Sequence, residues 1–207
     1  MAPKNKFTRE EMVDAALRVV RKKGIDALTA KALAEELGIS TQPVFTCFKT
    51  MDILKNEVQD AAANIYDEYV EEGLRQSIPF FGVGVQYIRF AREESELYRL
   101  LFLTTTTDGK NGAMDAMKRL QSKVRPSLEK IYHMSVEEAD RYLRDLWLVV
   151  HSIATLIVTG GCTYSDEEIH AILTGFSVSI CKAIKEIPGF TEGTFDRDEI
   201  FRYLAEK

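Results

Sequence analysis

The three histidines and three cysteines are the residues of this chain with the richest chemistry, and their spacing withholds it. His133, His151 and His170 form no H-E-x-x-H pair, and Cys47, Cys162 and Cys181 form no C-x-x-C, so neither a zinc site nor a disulfide framework is expected. Gly175-Phe176-Ser177-Val178-Ser179 places serine where a nucleophile elbow needs its last glycine, and it falls mid-helix rather than at a strand-to-helix turn. Gly82-Val83-Gly84 lacks the third glycine and the preceding strand of a dinucleotide fingerprint. No cofactor, no metal and no catalytic activity are expected. Binding chemistry remains. Gln42, Phe45, Thr46 and Lys49 share one face of a helical pattern, offering an amide, an aromatic ring, a hydroxyl and a cation, while Val44, Cys47 and Phe48 share the opposite, apolar face. One face can pack and the other can touch DNA.

The elements that must position this face read as a helix-turn-helix between Thr29 and Phe48. Gly38 follows the last periodic residue of the first helix, where a left-handed backbone is cheap only for glycine, and the Ser40 hydroxyl is expected to cap the second. Pro43 is expected at the third helical position, where its missing N–H is an orphan donor in any case. Upstream, Thr8-Arg9-Glu10-Glu11 is a capping box, and Met12, Ala15, Ala16, Val19 and Val20 form an apolar stripe ending at Lys22-Lys23-Gly24. Downstream, a further helix opens at Met51 with Leu54, Val58, Ala61 and Ile65 on its inner face.

Here the chain resembles the TetR family of transcriptional repressors, whose N-terminal three-helix unit and following long helix match residues 8 to 58 in order and spacing. The resemblance implies an all-α protein in two parts, a DNA-binding domain over residues 1–50 and a ligand-binding and dimerisation domain over 51–207. Two positions depart from the family pattern. Phe45 replaces a tyrosine and Met51 a lysine, each of which usually reaches a DNA phosphate.

Charge and length agree with this division. The 207 residues are 45% hydrophobic with net charge −5, yet residues 1–50 carry nine Lys/Arg against six Asp/Glu, leaving the acidic excess to the rest. The odd cysteine count, the lack of an apolar leader and the lack of an 18-residue apolar run point to a cytoplasmic chain without a membrane partner. Past residue 50 the pattern stays helical. A fourth helix should run from Met51 to Arg75, and Ser77-Ile78-Pro79 opens a fifth bearing Val83, Tyr87 and Phe90, which Gly82 and Gly84 weaken. Tyr87 to Phe102 resembles a sequence recurrent in one branch of TetR-like ligand domains, which implies two helices meeting at a short break; Thr104 to Gly112 should be a loop, and Ala113 to Tyr132 a helix kinked or interrupted by Pro126. Capping boxes at Ser135-x-x-Glu138 and Ser165-x-x-Glu168 open a terminal helical hairpin, and Ile200, Phe201 and Leu204 suggest a short amphipathic tail.

What the resemblance implies about function is specific. Thr41, Gln42 and Thr46 would face base edges and Phe45 a thymine methyl or the sugar backbone, with Pro43 opening the recognition helix. Lys31, Lys49 and the amino end of the Thr29 helix would hold phosphates of a palindromic double-stranded operator. The hairpin, through Ile169, Leu173, Phe176 and Ile180, would pair with its two-fold mate in a homodimer. The effector cavity of such folds lies between the fourth helix and those that follow, which makes Tyr66, Tyr87, Phe90, Phe102, Met117, Trp147 and His151 candidate walls for an apolar or aromatic small molecule. The alternative from another class is a helical ligand-binding or interaction protein whose head no longer binds DNA, which Phe45 and Met51 favour.

Overall fold

The computed structural model describes residues 7–104 and 112–206, and among them every regular element is a helix. The loop expected at Thr104 to Gly112 therefore falls largely outside the described residues. Three short helices form the head: α1 (Arg9–Lys23), α2 (Ala30–Leu37) and α3 (Gln42–Phe48). Helix α4 (Met51–Leu74) leads into a body of α5 (Pro79–Glu93), α6 (Ser95–Tyr98) with a π-helical continuation (Arg99–Leu103), α7 (Ala113–Tyr132), α8 (Val136–Val158), α9 (Asp166–Glu186) and α10 (Arg197–Ala205).

Local chemistry explains the starts and stops. Thr8, Ser135 and Ser165 each complete a reciprocal capping box, and Thr29 and Thr50 accept the N–H of Ala32 and Ile53. Gly38 ends α2 in the left-handed region, at φ 64° and ψ 40°. With Gly38 there, the Ile39 N–H reaches back to the Ala34 carbonyl at 3.0 Å. The next start differs from expectation. Thr41 occupies the cap of α3 without a side-chain bond, already in helical backbone at φ −74° and ψ −19°, so Ser40 lies one residue too early to cap and Pro43 sits at the second helical position.

The body corrects the sequence reading in three places. The buried line of α4 runs Leu54, Val58, Ala62, Tyr66 and Val70, a strict four-residue ladder, so that Ala61 and Ile65 are only partly covered. Helix α7 continues through Pro126 without interruption, so of the kink or break expected there the break does not occur. The third correction is a close crossing of two helices. A Cβ on Gly73 would stand 2.5 Å from the Val83 backbone, and one on Gly82 would stand 2.4 Å from the Gly73 carbonyl oxygen. Gly82 does not merely weaken α5; it lets α4 and α5 cross backbone to backbone.

The terminal hairpin forms as expected, with α8 and α9 joined by a 2.8 Å bond between the Tyr142 and Ser177 hydroxyls. Its inner and outer faces, however, divide the expected interface residues. Ile169 and Leu173 are 2% and 1% exposed, packed into their own protomer, and cannot face a partner. Phe176, 48% exposed, and the half-buried Ile180 remain at the surface, as do Leu148 and Leu156 of α8. Helix α10 buries none of its residues, and Phe201, Tyr203 and Leu204 stay exposed. No helix among the described residues is long and apolar enough to cross a membrane.

Candidate DNA-binding head and effector cavity

The two faces of α3 separate as their spacing requires. Val44 and Phe48 are 1% and 2% exposed where α3 packs with α2 and α4, whereas Gln42, Phe45, Thr46 and Lys49 are exposed along with Thr41 at the cap. The Thr46 hydroxyl donates to the Gln42 carbonyl at 2.9 Å, which fixes its rotamer and leaves its oxygen as an outward acceptor. Thr29 and Lys31 stand exposed at the first turn of α2, the Lys31 ammonium only 3.9 Å from Glu35. Pro43 is partly covered.

Charges in the head sort into structural and free. Arg18 and Lys22 both grip Glu36, at 2.9 and 3.1 Å, and hold its carboxyl below the usual range. Arg21 reaches out of the head to Glu94. Lys49 makes no ion pair among the described residues, and its backbone is unusual: φ 61° and ψ −47°, with the Thr50 N–H turned onto the Phe48 carbonyl at 2.6 Å. This is a γ-turn of the strained, positive-φ form, and it points an unpaired cation from the carboxyl end of α3.

Arg9 was not recognisable from sequence as part of this site. Its guanidinium donates to the Cys47 carbonyl at 2.6 Å, grips Glu57 on α4 through Nε at 2.9 and 3.0 Å, and lies 4.5 Å over the Phe48 ring. One side chain thus satisfies an orphan carbonyl at the end of α3 and ties it to α4. Met51, in turn, packs partly buried against the core. A lysine there would have to leave that position to reach a phosphate.

In the body, six of the seven expected pocket residues meet in one aromatic cluster. Tyr66 lies edge-on to Tyr87, Phe90 and Phe102 at centroid distances of 5.7, 5.3 and 5.3 Å, and the Trp147 and His151 rings stack at 4.6 Å. Met117 is buried too, but of the seven only Tyr87 and Trp147 line the adjoining cavity of about 30 Å³, which Phe80, Val83, Leu146 and Val150 also border; Tyr66, Phe90, Phe102, Met117 and His151 do not. That space suits one or two waters rather than a bound organic molecule. Tyr98, which sequence spacing did not single out, completes a polar node: its hydroxyl and that of Tyr87 lie 3.0 and 2.9 Å from His151 Nδ1. Burial pushes both phenols up and the imidazole down, so all three are uncharged near neutrality.

A three-helix head with one exposed and one buried face on α3, continued by a helical body with an aromatic cluster, is the layout of a helix-turn-helix protein. Residues 12–58, the head and the start of α4, match the family described as bacterial regulatory proteins, tetR family. Over 81 residues it is 32% identical to the HTH-type nicotine-responsive transcriptional repressor HdnoR of Paenarthrobacter nicotinovorans, covering 39% of this chain and 38% of that one. The match thus spans well under half the length of this curated relative. Two solved structures share the fold. A TetR family member from Streptomyces coelicolor A3 is 20% identical with a TM-score of 0.61, over 84% of this chain and 98% of its own. A protein of unknown function from Rhodococcus sp. RHA1 is 18% identical with a TM-score of 0.64, over 88% and 98%.

Proposed function

We propose that the protein is a cytoplasmic homodimeric repressor that a small-molecule effector releases from a palindromic operator, with residues 1–50 reading DNA and 51–207 binding ligand and partner. The exposed polar face of α3 carries this reading. Gln42 and Thr46 read base edges there, with Thr41 at the cap and Phe45 against a methyl or sugar, while Lys31, Lys49 and the amino end of α2 at Thr29 hold phosphates. The curated relative's response to nicotine supports an effector of low molecular weight. Tyr98 sits on the same short helix whose amino end, at Glu94, holds Arg21 of the head, so a ligand that shifts Tyr98 would tilt the head and unmatch the half-sites.

Selection from a random DNA pool tests the reading: a two-fold dimer should enrich inverted repeats, and no enrichment at low salt would leave the carrier alternative standing. Dimerisation has its own test. Phe176→Glu places a carboxylate on the outer face of α9 without entering the core, so it should dissociate the dimer in sedimentation while leaving thermal stability of the protomer nearly unchanged.

A further inference from the structure

Among the described residues that line the groove between α1 and α4, Arg9 is the one cation, and Glu10, Asp14, Glu57 and Asp60 are carboxylates. Its fork is fully occupied within the protein. Nε donates to the two Glu57 oxygens at 2.9 and 3.0 Å, Nη2 completes that pair, and Nη1 donates to the Cys47 carbonyl. A DNA phosphate drawn to this guanidinium would have to displace Glu57 and then face the neighbouring carboxylates. Arg9 is at the surface, its side chain 45% exposed, and is still poorly suited to hold the DNA backbone.

What it holds is the corner between α3 and α4. Helix α3 has seven residues, too few to be stable by itself, so its direction is set by what grips its ends. Lys49 turns the corner at a positive φ of 61°, a conformation that persists only where the surroundings over-determine it. The backbone bonds there, Lys49 N–H to the Phe45 carbonyl and Thr50 N–H to the Phe48 carbonyl, are local to the turn. Arg9 alone reaches both sides from a third helix, taking Cys47 just before the turn and Glu57 early in α4, with its guanidinium 4.5 Å over the ring of Phe48.

We propose, resting on the DNA-binding reading of the head, that Arg9 is a positioning residue for base readout: it sets the angle of α3 in the groove without touching DNA. Removing it would leave the phosphate-holding groups of α2 in place while the face bearing Gln42 and Thr46 swings out of register. Sequence preference, rather than general attraction to nucleic acid, is then what Arg9 controls.

Arg9 and Glu57 both lie at the surface, so their variants should keep the head folded, and Glu57→Gln is the mildest of them. In the free protein, hydrogen exchange at the Lys49 and Thr50 amides should quicken about ten-fold in Arg9→Ala, with the middle of α1 keeping its protection. On a selected operator Arg9→Ala should lose affinity by about five- to a hundred-fold, while affinity for random-sequence DNA stays within about two-fold and the slope of log K against log salt stays that of wild type. Glu57→Ala should behave alike, and Glu57→Gln, which keeps an acceptor for Nε, should recover most of the base preference. Arg9→Lys keeps the charge but loses the fork and should recover little. A slope flattened by about 0.9 per subunit, or full recovery in Arg9→Lys, would make Arg9 a phosphate ligand and overturn the positioning role. Unaltered base preference in Glu57→Ala would overturn it as well. A wild type that enriches no operator would sink the repressor reading separately, and unchanged exchange at Lys49 and Thr50 in Arg9→Ala would then overturn the brace itself.

Discussion

Arg21 on α1 and Glu94 at the break between α5 and α6 form a two-point ion pair, Nε to Oε2 at 2.8 Å and Nη2 to Oε1 at 2.7 Å, and it joins the head to the body. Residues 73 apart in sequence are held by the planar fork that arginine alone provides. Glu94 is mostly covered while Arg21 is partly exposed, so the pair is screened on one side only. A double-mutant cycle on Arg21→Ala and Glu94→Ala should give a coupling of about 0.5 to 1 kcal/mol in urea unfolding, and Arg21→Lys should recover less than half of it. Additive single effects would mean that the pair does not hold the head.

Gly73 and Gly82 should tolerate no side chain. With a Cβ placed 2.5 Å or less from partner backbone, Gly82→Ala must push α4 from α5 and should cost about 1 to 3 kcal/mol in urea midpoint analysis, despite the better helix propensity of alanine. Gly175→Ala is the control: it meets nothing within 4 Å on α9 and should be neutral or stabilising. Equal behaviour of the two variants would remove the close crossing from the account.

Lys49 offers two readouts at one position. Glycine relieves the positive φ and alanine does not, so Lys49→Gly should be more stable than Lys49→Ala by about 1 kcal/mol. Both variants lose the ammonium, and on a selected operator both should flatten the slope of log K against log salt by about 0.9 per subunit. A salt slope equal to wild type in both would take Lys49 away from the phosphate backbone.

His151 makes stability depend on pH in a stated direction. Burial lowers its pKa from 6.5, so the unfolded chain takes up its proton first as pH falls. Its contribution is intact above the unfolded pKa and is lost as pH drops through about 6.5 toward the folded value. The urea midpoint should therefore decline between about pH 7.5 and 5.5, and His151→Phe should flatten that part of the decline. A wild-type profile no steeper than that of the variant would show that the imidazole titrates alike in both states.

Gln42 and Lys31 should fail differently on DNA. Gln42→Ala should relax base preference at one operator position by about 1 to 3 kcal/mol, while Lys31→Ala should weaken all sequences alike. Exchange of the two phenotypes would place the wrong face of the head toward the groove.

The chain by itself determined what neighbouring residues decide between them. The boundaries at Thr8, Gly24, Thr50, Ser135 and Ser165 were legible because a hydroxyl three residues from an amide, or a glycine at a left-handed turn, acts within one helical turn. The outward face of α3 was legible too, since Val44 and Phe48 announce the side that must be buried. Ser40 misled because its hydroxyl suits a cap, whereas the backbone after Gly38 delays the helix until Thr41. What lay beyond local reach belonged to the tertiary structure. Periodicity put Ile169, Leu173 and Phe176 on one apolar side of α9, but only its crossing with α8 buried the first two and left the third outside. Arg9 became an anchor for α3 when folding brought Glu57 and the Cys47 carbonyl to it. Tyr98 gained its role from an imidazole 53 residues away, because a hydrogen bond depends on distance in space and an isolated helical pattern carries none of that information.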